Sequence, residues 1–266
     1  IFAQLWHMGR LVHPDFLGGA APLSSSATTA PGSVRTYLSN GEKKPYGEAR
    51  AATLDDIKRV LDDYEHATRG ALAAGFDGVQ LHAANGYLLE QFIRPNSNIR
   101  TDSYGGGIEN RARFVLEVAA AVADAIGQDR VGIRLSPFGI FNDMPLYPEM
   151  AADYAYLTEQ LNRLGLVYLH IVDHSAQGAP EVPDSIKQTM RRLFKQSLIL
   201  SGGYDAERAE RDLAAGKGDL IAVGRAFLAN PDLPARWQAK SPLNPPDMST
   251  FYTPGLKGYT DYPAMG

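Results

Sequence analysis

Short apolar runs alternate with helical patterns along most of the chain, and this alternation limits the fold more than any other feature. Runs typical of buried strands lie at 1–6, 78–82, 131–135, 168–172, 197–200 and 219–223. Nearly continuous apolar strands separated by helices are typical of a parallel sheet covered by helices. The sequence therefore predicts an α/β fold in a single domain of residues 1–266.

The segments between these runs have the periodicity of amphipathic helices. The first helix is predicted to begin after Thr53, where Asp56 completes a capping-box pattern, and to end at Gly75. Its expected inward face consists of Ile57, Val60, Leu61, Tyr64, Ala67 and Ala71. Further helices are predicted before Gly127, at 148–164, at 184–194, from Asp205 to Gly216, and from about Ala226.

Six strands fit either a doubly wound sheet or a (β/α)8 TIM barrel that needs two more strands. Polar residues follow the strands at every repeat, and a barrel places its one site at that end of its strands. We therefore predict a TIM barrel with six of its eight strands in this chain. The segment 11–52 is too long for a plain connection, so we expect it to cover a site or carry its own hairpin.

The composition excludes several classes of protein. A formal net charge of -4 provides no basic surface of the kind that binds nucleic acid. The absence of cysteine excludes disulfides, thiolate metal sites and cysteine nucleophiles. No apolar run approaches the ~20 residues that span a bilayer. We expect a cytoplasmic protein that acts on a small molecule and binds neither nucleic acid nor membranes.

Glycines follow the last two strands, directly before a helix in each case. They are Gly202 and Gly203 in the first turn and Gly224, followed by Arg225, in the second. Glycine lets backbone N–H groups approach an anion, and in a barrel the loops after the last two strands commonly hold a phosphate. We predict a bound phosphate group of a cofactor or substrate; the alternative is that the glycines only make tight turns.

Arg134 interrupts an otherwise apolar strand, and a buried guanidinium needs an acceptor. It could form a structural ion pair or face an electron-rich ligand. Its position along a barrel strand favours the ligand. Gln4 and Trp6 share one face of the first strand and are further candidates for the same site.

The segment 82–87 brings three polar side chains to the end of one strand, namely His82, Asn85 and Tyr87. A single histidine at a strand end would more often be structural, but the three together can hold a polar atom and deliver a proton. His170 and His174 suggest a metal site, but no convincing third ligand accompanies them. We therefore predict no metal.

Several long motifs occur along the chain: QLWHMGR at 4–10, HAANGYLLEQF at 82–92, SNIRTDSYGG at 97–106, GIRLSP at 132–137, VGRAFLANPDL at 223–233 and GYTDYP at 258–263. In these motifs the sequence resembles the old yellow enzyme family of FMN-dependent reductases, whose bacterial members reduce activated alkenes and nitrate esters. The resemblance covers essentially the whole chain. It implies a (β/α)8 barrel with FMN at its mouth and NAD(P)H as the hydride donor.

The resemblance assigns one group of residues to the flavin. Gln4 would hydrogen-bond the pyrimidine edge, and Arg134 would face N1 and O2 of FMN. Tyr252, beside Phe251, would lie near the flavin end. The FMN phosphate would be held by Gly202, Gly203, Gly224 and Arg225.

It assigns a second group to the acceptor. His82 and Asn85 would bind the carbonyl or nitro oxygen of an enone, maleimide or nitrate ester. Tyr87 would protonate the neighbouring carbon. Trp6 and Phe251 would help to shape the substrate pocket.

Family members have two further strands before the strand at 1–6, with additional flavin contacts. We expect a complementing amino-terminal fragment of the same barrel to supply those strands. The alternative is a non-catalytic barrel fragment or scaffold that cannot bind FMN without such a fragment. A third possibility, a flavin-free lyase acting on a sugar phosphate, predicts a lysine in a strand, and the predicted strands contain none.

Overall fold

The computed structural model of this protein describes residues 1–31, 35–38 and 42–265. Strands in that part of the chain are β1 Phe2–Leu5, β2 Leu23–Ser24, β3 Arg35–Tyr37, β4 Lys43–Pro45, β5 Arg50–Ala51, β6 Gly78–Ala83, β7 Val131–Leu135, β8 Tyr168–Val172, β9 Ser197–Ser201 and β10 Leu220–Ala222. The helices are α1 Leu54–Ala73, α2 Leu88–Ile93, α3 Ile108–Arg111, α4 Arg113–Ile126, α5 Met150–Arg163, α6 Asp184–Leu193, α7 Ala206–Ala214, α8 Arg225–Ala229 and α9 Leu233–Ala239.

Six parallel strands form the large sheet, in the order β1-β6-β7-β8-β9-β10. This order follows the chain without the reversal that marks a doubly wound sheet, so it is the order of consecutive strands in a (β/α)8 barrel. The six predicted strands are confirmed. In the part of the chain that the structure describes, β1 and β10 each have a single neighbour in the sheet.

Helix α1 begins as predicted. The Thr53 hydroxyl accepts a hydrogen bond from the Asp56 N–H, and the Asp56 carboxylate accepts one from the Thr53 N–H. Its inward face differs from the prediction at one position, because Ala67 is exposed and Thr68 is buried. The Thr68 hydroxyl donates to the carbonyl of Tyr64, which satisfies it inside the core.

The core lies between the sheet and its covering helices. Val79 and Leu81 of β6 and Ile133 of β7 are fully buried, as are most inward residues of α4 and α5. The rings of Phe92 and Phe114 pack 4.5 Å apart, joining α2 to α4. No helix within the described ranges has the length and apolar character needed to cross a membrane.

Two parts of the chain carry structure that the helix and strand patterns did not predict. All six residues of α2 are buried, so it shows no amphipathic pattern. In the long segment after β1, β3 and β4 pair as an antiparallel hairpin and β2 pairs with β5. The expected hairpin is therefore present, although residues 32–34 and 39–41 of that segment lie outside the described residues.

Candidate active site

Polar side chains from neighbouring strands meet on one face of the sheet. In the parallel register, His82 on β6 is paired with Arg134 on β7, and Arg134 is paired with His170 on β8. Gln4 on β1 is paired with Gln80, two residues before His82. Because residues paired in register point to the same face, and so do residues two apart in a strand, all five share that face.

A chain of hydrogen bonds links these strands. Gln4 Nε2 donates to Gln80 Oε1 at 2.6 Å, and Gln80 Nε2 donates to the hydroxyl of Tyr168 at 3.1 Å. Gln80 Nε2 also lies 3.4 Å from Nδ1 of His170, whose Nε2 lies 2.9 Å from the Ser201 hydroxyl. These hydrogen bonds join β1, β6, β8 and β9, with no member on β7, and they hold together the polar layer beneath the site.

His82, near the end of β6 on the same face, is a neutral hydrogen-bond donor. Only 4% of its surface is exposed, and burial, followed by the charge of Arg134, lowers its pKa to about 3. Its Nδ1 accepts a hydrogen bond from the Ala84 N–H at 3.3 Å. The ring hydrogen is therefore on Nε2, which is left to donate to a ligand.

A left-handed turn follows β6 and presents Asn85. Asn85 has φ 59° and Gly86 has φ 78°. The Asn85 N–H donates to Ser136 Oγ at 2.8 Å, and the Gly86 N–H donates to Glu90 Oε2 at 2.7 Å. Asn142 Nδ2 donates to the Asn85 carbonyl at 2.8 Å. Three hydrogen bonds therefore hold the backbone of this turn, and they fix the position from which the Asn85 side chain extends.

Tyr87 packs into an aromatic cluster with His82 and Trp6. Its ring is edge-on to Trp6 at 4.6 Å and to His82 at 5.1 Å, while Trp6 stacks on His82 at 5.9 Å. Burial is the main cause that raises the pKa of Tyr87. The phenol is therefore protonated at neutral pH and can serve as a proton donor.

Arg134 is a cation without a protein partner in the described part of the chain. Its Nε is buried and makes no hydrogen bond, and no carboxylate lies within ion-pair distance. Burial lowers the pKa of Arg134, although a guanidinium keeps its charge in proteins. No ion pair of Arg134 is present among the described residues, and its unpaired buried charge favours an electron-rich ligand.

The glycine turns line a cavity of about 710 Å³ that also contains Asn85 and Arg134. Gly202 and Gly203 have φ 132° and 66°. A Cβ on Gly202 would overlap the carbonyl oxygen of Asp173, whereas a Cβ on Gly224 would meet no protein atom. The space at Gly224 is therefore open to a ligand rather than filled by the protein.

The cavity brings together most of the predicted cofactor residues. Besides Arg134 and the three glycines, its lining includes Arg225, Phe251 and Tyr252. Tyr252 is 97% exposed in a left-handed conformation, φ 62°. Gln4, Trp6, His82 and Tyr87 do not line this cavity; they lie on the neighbouring strands β1 and β6 and the turn after β6.

Two histidines have roles that the sequence did not predict. His170 belongs to the hydrogen-bond chain above, and Nε2 of His174 lies 2.7 Å from Oδ1 of Asn85. Within the described ranges, no group of three or more His, Asp or Glu side chains could hold a metal ion. In the sequence, the two histidines on either side of Asp173 suggested a metal site and gave no indication of these hydrogen bonds.

A family model described as the NADH:flavin oxidoreductase / NADH oxidase family matches residues 1–244. The chain belongs to this family. It is a flavin-dependent oxidoreductase whose cofactor is FMN, of a family described by its use of NADH. Morphinone reductase, one of the solved structures that it resembles, has been solved in complex with tetrahydroNAD. The resemblance to the old yellow enzymes is confirmed, and the alternative of a non-catalytic scaffold is not supported.

The similarity to relatives and to solved structures covers 98–100% of this chain. The chain is 44% identical to putative 12-oxophytodienoate reductase 5 of Oryza sativa subsp. japonica, over 98% of this chain and 69% of the relative. It is 42% identical to chanoclavine-I aldehyde reductase fgaOx3 of Penicillium roqueforti, over 98% and 70%. The structure of morphinone reductase superposes with a TM-score of 0.93 at 43% identity, covering 100% of this chain and 72% of that one. The old yellow enzyme homologue from Zymomonas mobilis gives 0.92 at 41%, covering 100% and 74%.

The residues of this oxidoreductase fit FMN. A flavin phosphate is an anion, and the cavity offers the open space at Gly224 beside Arg225. An isoalloxazine gains negative charge on reduction, and Arg134 supplies an unpaired buried cation in the same cavity. The TIM-barrel fold is likewise shared with these structural neighbours, which cover the chain fully.

Proposed function

We propose that this oxidoreductase passes hydride from NAD(P)H through FMN to activated alkenes, with enones and maleimides as the main class of acceptor. The observation that carries this proposal is the arrangement of His82, Asn85 and Tyr87 at the end of β6, next to the cavity that contains Arg134. Two relatives are named for reduction of oxo compounds, 12-oxophytodienoate and morphinone. Nitro compounds and nitrate esters present an oxygen to the same donors and are a further class of acceptor.

The cofactor would be held in the cavity that runs from β7 to β10, with Gln4 on β1 beyond its edge. Gln4 would bind the pyrimidine edge of FMN and Arg134 would face N1 and O2. Gly202, Gly203, Gly224 and Arg225 would hold the phosphate, and Tyr252 would cover the exposed end. When bound, FMN supplies reversible two-electron hydride chemistry.

His82 and Asn85 would bind the acceptor oxygen. The Nε2–H of neutral His82 and the side-chain amide of Asn85 can both donate to a carbonyl or nitro oxygen. Negative charge develops on that oxygen when hydride reaches the conjugated carbon. Fixed donors aimed at such charge are worth about 10²- to 10³-fold in rate each.

Tyr87 would complete the reduction by donating a proton to the neighbouring carbon. Its raised pKa keeps the phenol protonated at neutral pH, so the proton is present when it is needed. Trp6 packs edge-on against Tyr87 and stacks on His82, and with Phe251 it would shape the substrate pocket.

Two more strands would close the barrel between β1 and β10, each of which has one neighbour in the described sheet. Unpaired strand edges invite pairing with a further strand. The proposed source is a complementing amino-terminal fragment of the same barrel. Reduced nicotinamides are kept inside cells, so a cytoplasmic location suits the proposed reaction.

Absorption spectroscopy of each half-reaction tests the proposal. The FMN-loaded protein should lose its flavin bands on anaerobic addition of NADPH and regain them on addition of cyclohexenone. A flavin that is bleached by neither NADPH nor NADH, or that no enone, maleimide or nitrate ester reoxidises, would contradict the function. Native mass spectrometry tests the barrel closure separately, since an FMN-loaded lone monomer of this chain would rule out the complementing fragment.

A further inference from the structure

The amide of Asn85 can point either of two ways, and only one of them suits an acceptor oxygen. An amide donates through its nitrogen and accepts through its oxygen, so turning it over replaces an attractive contact with a repulsive one. The backbone of Asn85 is fixed by Ser136 and Asn142, but these contacts do not choose between the two orientations. Another contact must therefore determine the orientation of the Asn85 side-chain amide.

His174 is the side chain that distinguishes the two ends of this amide. Its Nε2 lies 2.7 Å from Oδ1 of Asn85, and its Nδ1 accepts a hydrogen bond from Gln177 Nε2 at 3.2 Å. Since Nδ1 accepts, the hydrogen of the neutral ring is on Nε2, which donates to Oδ1. Within the described residues Nδ2 of Asn85 has no protein partner, so both of its hydrogens are available to a ligand.

The ring of His174 is itself held in place. It packs edge-on against Phe141 with ring centroids 4.7 Å apart. The preceding residue, Asp173, is buried, pairs with Lys187 at 2.7 Å and accepts from the Ser175 N–H at 2.9 Å. Burial, followed by the charge of Arg134, lowers the pKa of His174, so the ring is neutral at pH 7. A fixed neutral ring with its hydrogen on Nε2 is what the amide orientation requires.

We propose that His174 is a positioning residue that turns the Asn85 amide so that Nδ2 faces the acceptor oxygen, with Gln177 selecting the tautomer that allows it. The proposal rests on the proposed function, in which Asn85 binds that oxygen. The contact joins the loop after β8 to the turn after β6, across a separation of 89 residues. Both side chains line the cofactor cavity, which places this contact beside the flavin site rather than at a remote surface.

The test measures the dissociation constant of a phenol, 4-hydroxybenzaldehyde, by titrating the flavin absorbance of the FMN-loaded protein. His174→Phe keeps an aromatic ring against Phe141 but removes the donor, and we expect about a tenfold weaker phenol affinity. His174→Gln restores an N–H donor and should recover most of the lost affinity. Equal weakening by both variants would contradict the role, because a packing defect would not depend on the donor.

A double-mutant cycle shows whether His174 acts through Asn85. In an Asn85→Ala background, His174→Phe should cause no further loss of phenol affinity. A further loss of the same size would mean that His174 contacts the ligand directly, and the positioning role would be wrong. If Asn85→Ala alone leaves the affinity unchanged, the proposed function fails at Asn85; if Asn85→Ala weakens binding and His174→Phe does not, the inference alone fails.

Gln177 gives a second test that does not depend on the folding of a His174 variant. Its side chain is exposed, so Gln177→Leu should leave the fold intact. Without the Gln177 donor, His174 can adopt the other tautomer, and we expect phenol affinity to fall about threefold. The loss should disappear in the Asn85→Ala background. An unchanged affinity in Gln177→Leu would show that Gln177 does not select the tautomer.

Discussion

Glu90 in α2 and Arg94, the residue directly after that helix, form an ion pair with 2.9 Å between Oε1 and Nη2, and both side chains are almost wholly buried. Glu90 also accepts hydrogen bonds from the Gly86 N–H and from the hydroxyls of Ser136 and Tyr154. The carboxylate is therefore the common acceptor that ties the turn after β6 to the residue directly after β7 and to α5. These contacts compensate the buried charge, so a carboxylate can occupy a helix with no exposed side.

Removing this carboxylate should be costly. Glu90→Ala leaves the Arg94 guanidinium buried without its counter-charge, and such a change lowers the free energy of unfolding by about 3–5 kcal/mol. The matched control is Glu65→Ala, which breaks the exposed pair of Glu65 with Arg69 in α1 and should cost no more than about 0.5 kcal/mol. Urea unfolding of both variants measures the difference. Similar losses in the two variants would show that the buried network contributes little.

The proposed proton donor can be separated from the rest of the site. Tyr87→Phe keeps the ring that packs on Trp6 and His82 but removes the hydroxyl, so reoxidation of reduced FMN by cyclohexenone should slow about 10²-fold. Reduction of FMN by NADPH should stay within about twofold of the unmodified protein, because it requires no proton from Tyr87. Stopped-flow absorbance resolves the two steps. An equal loss of rate in both half-reactions would contradict the proton-donor role. The control is Tyr259→Phe in the carboxyl-terminal tail, which removes a phenol hydroxyl away from the site.

The buried histidines predict how stability changes with pH. Burial, followed by the charges of Arg134 and His82, lowers the pKa of His170 to about 3, whereas an unfolded histidine titrates near 6.5. Well above pH 6.5 both states hold the ring neutral and the group has no effect on stability. Below pH 6.5 the unfolded ring takes up a proton that the folded ring cannot, so the free energy of unfolding falls as the pH drops towards 3.

Replacing His170 should reduce this pH dependence. His170→Gln keeps hydrogen-bonding groups for Gln80 and Ser201 but cannot titrate. Between pH 6.5 and 4.5 its free energy of unfolding should fall less steeply than that of the unmodified protein, by up to about 1.4 kcal/mol per pH unit. Urea unfolding at several pH values measures the slope, and both proteins should show the same slope above pH 7. Equal slopes in the acid range would mean that His170 is protonated in the folded state.

The sequence predicted the strands because each is a short apolar run, and β8 has the predicted bounds 168–172. It predicted the start of α1 because the capping residues Thr53 and Asp56 are three positions apart at the beginning of the helix. It missed α2 because a helix buried on every side shows no periodicity. Local patterns therefore account for most of the fold.

The candidate site was predictable only in part, for a related reason. His82, Asn85 and Tyr87 could be found because they lie within six positions of one another. The contact of His174 with Asn85 joins residues 89 positions apart, and the Gln80–His170–Ser201 contacts join three strands. Nothing in a single sequence shows which residues of different loops will meet. Those contacts depend on the register of the parallel sheet, which only the structure provides.

Gly224 offers a test of the phosphate site that leaves the protein itself undisturbed. Its φ is −95°, so alanine is not excluded by a left-handed backbone, and a Cβ there would meet no protein atom. Gly224→Ala should therefore fold with unchanged stability while FMN binds at least tenfold more weakly, because the new methyl group occupies the space proposed for the phosphate.

The control is Gly70→Ala in the interior of α1, where a Cβ also meets no atom from outside the helix. It should raise the free energy of unfolding by about 0.5–1 kcal/mol and leave FMN affinity unchanged. FMN titration by fluorescence quenching and urea unfolding without added FMN measure the two quantities; unaltered FMN affinity in Gly224→Ala would show that the phosphate lies elsewhere.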